Sequence, residues 1–185
     1  RTLWEEITAH LPAFDLVILE KMPEKAGTLV NPLHFLANGI NPEFCHLTQL
    51  DRPWPDVEKS IRDVKTMRRR VRTFQRLGTC ELVIAETAQQ RSDMLESLLI
   101  QKQRRFEETR VPGFDEHPEK LAFFTQGTEI LARSQALHLS ALVLDGKILA
   151  TYWGLVHGSH YYGILISNEA GEWLKYSPGR VLHYL

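Results

Sequence analysis

Apolar positions along the chain follow two periods, and these divide most of it into helices and strands. Val57, Ile61, Val64, Met67, Val71 and Phe74 step by four and three and fall on one face at 100° per residue. Arg62, Lys65, Arg69, Arg72 and Arg76 take the opposite side. With Asp56 as N-cap and Gly78 as C-cap, the pattern predicts one basic helix over 56–78. The apolar run at 81–86 reads as a strand. A second helix follows, capped by Thr87 or Ser92. It has Leu95, Leu98, Leu99 and Phe106 on its apolar face and Lys102, Arg104 and Arg105 on its polar side. The Pro112-Gly113 loop separates it from a third helix that opens at Pro118, a favoured first helical position. Three strands then come in quick succession. Residues 137–144 turn at Asp145-Gly146, the strongest short hairpin signal. Residues 147–156 turn near Gly158, and 160–167 complete the meander. A polar loop, Ser177-Pro178-Gly179, leads into the first turns of a helix over 180–185.

The first third of the chain is less regular. Residues 3–11 have helical spacing and stop at Pro12, and 15–20 form a strand-length apolar run closed by Met22-Pro23. Residues 31–42, with two Asn-Pro pairs and Gly39, read as loop. A further strand is expected at 44–50, ended by Arg52-Pro53-Trp54-Pro55. Residues 1–55 show no closed core of their own, residues 56–78 read as a basic connecting helix, and residues 79–185 read as the main lobe.

Composition narrows the class. Of 185 residues, 43% are hydrophobic and 24% charged, which excludes wholesale disorder. No apolar run approaches the ~18–20 residues that span a bilayer. Two cysteines, Cys45 and Cys80, make neither a disulfide framework nor a four-ligand zinc site. Both read as small core or strand residues, and a reducing, cytoplasmic location is expected. Charge is unevenly spread. Residues 59–76 hold eight bases against one acid, a net +7, which leaves −8 for the rest of a chain whose total is −1.

Four features bear on chemistry. Ser177-Pro178-Gly179-Arg180 has the strand–loop–helix form that presents backbone N–H groups and a guanidinium to a phosphate. A plain N-cap followed by a first-turn proline explains the same letters. His160 and Tyr162 are candidate general bases or acids if their strand lines a cleft. Tyr161 and Tyr162 alternate faces, so only one of them points into any such cleft. His157 and His160 flank a turn with no third ligand nearby, so no metal site is expected. The basic helix suits RNA, acidic lipid or a polyanionic substrate, or is simply a solvated face. Lys102 and Arg105, three residues apart, form either a small anion patch that contacts substrate or ordinary surface charge. The chain has no G-x-S-x-G, P-loop, G-x-G-x-x-G or H-E-x-x-H.

Element order and letters together resemble the GNAT acyltransferase superfamily. More narrowly, they resemble the CelD-type (cellulose-biosynthesis-associated) acetyltransferases, relatives of the FemAB peptidoglycan aminoacyltransferases. The resemblance covers residues 56–185. It is carried by Arg76-Leu77-Gly78, Lys102-Gln103-Arg104-Arg105-Phe106 and Leu142-Val143-Leu144-Asp145-Gly146-Lys147-Ile148-Leu149-Ala150, followed by Gly154, Tyr161-Tyr162 and Ser177-Pro178-Gly179. The usual pyrophosphate run, Arg/Gln-x-x-Gly-x-Gly/Ala, is not matched, and Ser177-Pro178-Gly179 takes its place.

The resemblance implies an α/β (α+β) fold: a GNAT-like mixed sheet with flanking helices, the C-terminal part of the lobe missing, preceded over 1–55 by the remnant of a degenerate GNAT-like lobe. It implies transfer from acetyl-CoA or another acyl-CoA to an amine, in polysaccharide or cell-envelope biosynthesis. The third and fourth strands (147–156 and 160–167) would splay around the thioester. Ser177, Pro178, Gly179 and Arg180 would hold the pyrophosphate, and His160 or Tyr162 would serve as base. Two other readings stay open. One is an aminoacyl-tRNA donor, with the basic helix gripping RNA. The other is a non-catalytic scaffold of envelope polysaccharide assembly, favoured if the third and fourth strands pair without a gap.

Overall fold

The structure, a computed structural model, describes residues 3–14, 24–26, 28–33 and 48–185. The chain divides into two compact units, Arg1–Val57 and Glu58–Leu185. The first contains a short helix, α1 (Leu3–Thr8), and a two-residue antiparallel pair, β1 (Lys25–Ala26) with β2 (Leu29–Val30). The strand expected at 15–20, Cys45 and most of the strand expected at 44–50 lie outside the described residues, and 48–50 carry no regular structure.

The single helix expected over 56–78 is two. Helix α2 spans Trp54–Ser60 and α3 spans Val64–Leu77, and Asp63 between them takes a left-handed conformation with φ 68°. The break has a physical counterpart. Arg68 Nε donates to Glu58 Oε1 over 2.8 Å, and Tyr184 also hydrogen-bonds this carboxylate. On one straight helix, residues ten apart are separated by about 15 Å of rise, so the pair requires the turn. Helix α3 is an integral part of the second unit, because Phe74 is fully buried against the sheet.

From there the expected order holds: β3 (Cys80–Ile84), α4 (Ala88–Thr109), α5 (Pro118–Arg133), β4 (Leu137–Leu144), β5 (Lys147–His157) and β6 (His160–Asn168). A 3-10 turn over Gly171–Tyr176 and α6 (Pro178–Tyr184) follow. Thr87, not Ser92, caps α4, through a reciprocal capping box with Gln90. Asp145 and Gly146, at φ 49° and 81°, make the expected β4–β5 turn. The sheet order is β3-β4-β5-β6 with every described pairing antiparallel, where a mixed sheet had been expected.

Side-chain alternation gives the sheet two covered faces. Leu139, Ala141 and Trp153 meet Met94, Leu98 and Phe124 of α4 and α5. Trp153, wholly buried, donates through its indole N–H to Thr128 and stands edge-on to Phe124. On the opposite face, Leu142 and Ala150 meet Phe74 of α3 and Val181 and Leu182 of α6.

Two stability predictions follow from this packing. Phe74→Ala opens a cavity where α3 meets the sheet and is expected to cost about 3–5 kcal/mol in urea unfolding. The Glu58 carboxyl is held down to about 2, chiefly by its hydrogen bond from Arg68 and then by that from Tyr184. A depressed carboxyl stabilises the fold above its unfolded value of 4.5, and that contribution is lost as pH falls toward 2. Glu58→Gln is expected to flatten stability against pH in this window.

Candidate active site

The sheet has two register shifts, one in β4–β5 at Leu142/Val143 and one in the β5–β6 hairpin at Trp153/Gly154. Ala150–Trp153 pair with Asn168–Leu165 and Gly154–His157 with Gly163–His160, which leaves Ile164 as an extra residue. The two strands stay paired along their whole length, joined by the tight Gly158-Ser159 turn. The gap expected between the third and fourth strands is therefore absent. The bulge instead opens space on one face. A β-carbon at Gly154 would lie 2.7 Å from the Tyr161 hydroxyl, and one at Gly163 would collide with the Tyr152 phenol.

These two phenols belong to a row of four rings on the face that carries α6. His138 pairs with Gly154 across β4–β5, and its ring lies 5.1 Å from that of Tyr161. Tyr161 is 5.8 Å from Tyr152, and Tyr152 is 5.4 Å from His183 of α6. The Tyr161 and Tyr152 rings meet edge to face, at 87°. Burial pushes the His138 imidazole below its ordinary 6.5, so it is neutral at pH 7. Burial, with Tyr152 beside it, pushes the Tyr161 phenol far above its ordinary 10, so it keeps its proton. At pH 7 the imidazole thus has a ring nitrogen free of charge that can accept a proton, and the phenol keeps a hydroxyl that can donate a hydrogen bond.

His160 and Tyr162 stack on each other at 6.1 Å on the opposite face, and both are exposed. The fold does not bring them to Ser177–Arg180, which lie on the α6 side. Lys102 and Arg105 part company as well. Arg105 is engaged by Glu108 on the helix surface, whereas half-buried Lys102 donates from Nζ to the Ile166 carbonyl at 3.3 Å. Arg104 does the same for the Asn168 carbonyl at 2.9 Å. Glu169 N–H bonds inward to Leu149, so by alternation Ile166 and Asn168 turn their backbone groups to the outer edge of β6. Lys102 and Arg104 thus occupy the outward carbonyls of the C-terminal half of that edge, while the N–H groups of Ile166 and Asn168 face the same way.

At the start of α6, Ser177 is left-handed at φ 55° and its side chain makes no cap bond. Pro178 has no N–H, and Arg180 and Val181 both donate to the Ser177 carbonyl. The groups left for an anion are the Ser177 hydroxyl, the Gly179 N–H and the exposed Arg180 side chain. Gly179 is pressed against β6, where a β-carbon would come 3.2 Å from Asn168 Oδ1.

A protein-family model described as an acetyltransferase (GNAT) domain matches residues 62–185, about two thirds of the chain. The chain belongs to the GNAT acetyltransferase family. This GNAT domain is an acyltransferase, and N-acyl transfer with an acyl-CoA co-substrate is the general chemistry of its family. A search of curated proteins gives no match. Among the described residues, no helix is long and apolar enough to cross a membrane, and no three His, Cys, Asp or Glu side chains group as metal ligands.

Within the GNAT domain, the ring row holds His138 and Tyr161, which the sequence does not single out, and the expected His160 and Tyr162 lie on the other face. The usable signal was Gly154 in mid-strand, because a glycine there marks a close approach, and two-residue alternation ties His138 and Tyr161 to it. Arg104 left no such signal, since its partner lies 64 residues away. In an absorbance titration of the tyrosines, Tyr161 is expected to ionise last. Tyr161→Phe should remove that last step, move the step of its neighbour Tyr152 and leave those of the other tyrosines in place.

Proposed function

We propose that the chain transfers an acyl group from acetyl-CoA or another acyl-CoA to an amine, with His138 and Tyr161 as its proton-handling pair. The observation that carries this is the contact of a neutral imidazole with a firmly protonated phenol, on the face where α6 begins. An acceptor ammonium, with a pKa near ~10.4 in water, must lose a proton before it attacks. His138 takes that proton. The amine nitrogen bonds to the thioester carbonyl carbon and the C–S bond breaks; the second proton that the nitrogen sheds on becoming an amide passes to the departing sulfur, toward which Tyr161 donates a hydrogen bond.

The β6 edge supplies the donor site. Lys102 and Arg104 already fill the outward carbonyls, so Ile166 and Asn168 offer donors only, which suits the amide carbonyls of a pantetheine arm. Ser177, Gly179 and Arg180 take the diphosphate, with Pro178 fixing the turn. His160 and Tyr162 border the acceptor approach from the other face, and Arg105 stands further out on α4. The CelD-type resemblance supports an acceptor amine in polysaccharide or envelope biosynthesis. The closed β5–β6 ladder would favour a non-catalytic scaffold only if the thioester had to sit between those two strands, and the open outer edge of β6 supplies another place for it.

His138→Ala is expected to lower kcat/KM by about 10²–10⁴. It should also abolish the acid limb, which in the parent protein lies below pH 6.5 because the base must be neutral. Arg180→Ala removes a charge-assisted contact of ~1.5–3 kcal/mol and is expected to raise the KM for acyl-CoA about tenfold or more. An unchanged pH profile in the first variant, or an unchanged KM in the second, would count against the assigned role.

A further inference from the structure

Helix α3 has a side that neither the fold nor the acyl-transfer site uses. Lys65, Arg69, Arg72 and Arg76 recur at steps of four, three and four, so all lie within about 60° of arc. They point away from the buried Met67 and Phe74, and all four are exposed. The row is about 16 Å long. The helix contains no acidic residue, and among the described residues none of the four cations is in a salt bridge; only Arg68, at the flank, is taken up, by Glu58. Solvated helices ordinarily interleave acids at these spacings. Like charges at such steps repel by about 0.2–0.5 kcal/mol per pair, so this arrangement costs stability unless a polyanion neutralises it.

Three of the four cations are arginines, whose planar fork fits phosphate oxygens. Helices that lie on membranes set large apolar side chains beside their cations. On α3, Met67 and Phe74 are buried and Leu77 is the one large apolar side chain classed as exposed, about 100° around the helix from the middle of the cationic row, which disfavours a lipid surface. Beside Arg72, a groove of about 370 Å³ lined by Arg68, Val71 and Tyr184 offers an apolar wall and a ring against which a base or ribose can rest.

We propose that the exposed side of α3 binds the sugar–phosphate backbone of a nucleic acid. The contacts run through Lys65, Arg69, Arg72 and Arg76, so binding is insensitive to sequence and strongly dependent on salt. The claim is independent of the acyl-transfer assignment, because none of these residues belongs to that site.

The test is fluorescence anisotropy of the whole chain with a mixed-sequence single-stranded RNA and, separately, a duplex DNA of mixed sequence. Four phosphate contacts predict a slope of log K against log[salt] of about −3 to −4. Arg69→Gln with Arg72→Gln should reduce that slope by about two, with the circular dichroism spectrum and the KM for acyl-CoA unchanged. The RNA and DNA arms show which nucleic acid supplies the phosphates. A third arm uses vesicles of phosphatidylserine and phosphatidylcholine. No binding of either nucleic acid at 50 mM salt, a slope that the double substitution leaves unaltered, or binding to the vesicles alone would overturn the proposal.

Discussion

Two absent β-carbons, at Gly154 and Gly163, shape the face of the sheet that carries α6. They let the β5–β6 ladder slip by one residue while remaining closed, and they admit two phenols into the space above the backbone. Tyr161 and Tyr152 then fill that space, Tyr161 leaning on half-buried His138 on one side and Tyr152 reaching His183 of α6 on the other. The opposite protonation tendencies of His138 and Tyr161 follow from this burial. Any larger residue at Gly163 would have to displace the Tyr152 ring, and with it the contact that ties the row to α6.

The long cationic side chains divide into groups with different physical roles. Lys102 and Arg104 lie on α4, where their charges meet backbone carbonyls at the edge of β6, and Arg104 also meets Glu169. They blunt part of that edge against pairing with another strand and leave donors exposed beside it. Arg68 braces α2 and α6 through Glu58 and Tyr184. The row on α3 faces solvent and meets no acid among the described residues. The helix that dominates the charge pattern of the chain packs on the same sheet face as α6, with its cationic row turned away from the sheet.

Much of the fold was legible from local signals. The Asp145-Gly146 turn, the two-residue alternation of β4 to β6, the Thr87 cap and Pro118 each act within a few residues, so their effects are written in neighbouring letters. The interruption at Asp63 was not legible, because the apolar face of residues 57–74 keeps helical spacing straight through it; the reason for the turn is Glu58 meeting Arg68 and Tyr184. The site divides in the same way. Its face could be narrowed to one tyrosine of the Tyr161-Tyr162 pair, but choosing between them needs the bulge register and the side on which α6 packs. Both are long-range facts. The sequence points to a splayed gap between β5 and β6 for a similar reason, since nothing local shows that Lys102 and Arg104 of α4 reach the outer edge of β6.

The central claim is that acyl-CoA meets the outer edge of β6 and the start of α6, with its thioester before His138 and Tyr161. Amide chemical-shift mapping of the whole chain titrated with acetyl-CoA tests it most directly. The account predicts saturable shifts at Ile166, Asn168, Gly179 and Arg180, together with the side-chain signals of His138 and Tyr161. Shifts centred instead on His160 and Tyr162, with the α6 start unmoved, would contradict it.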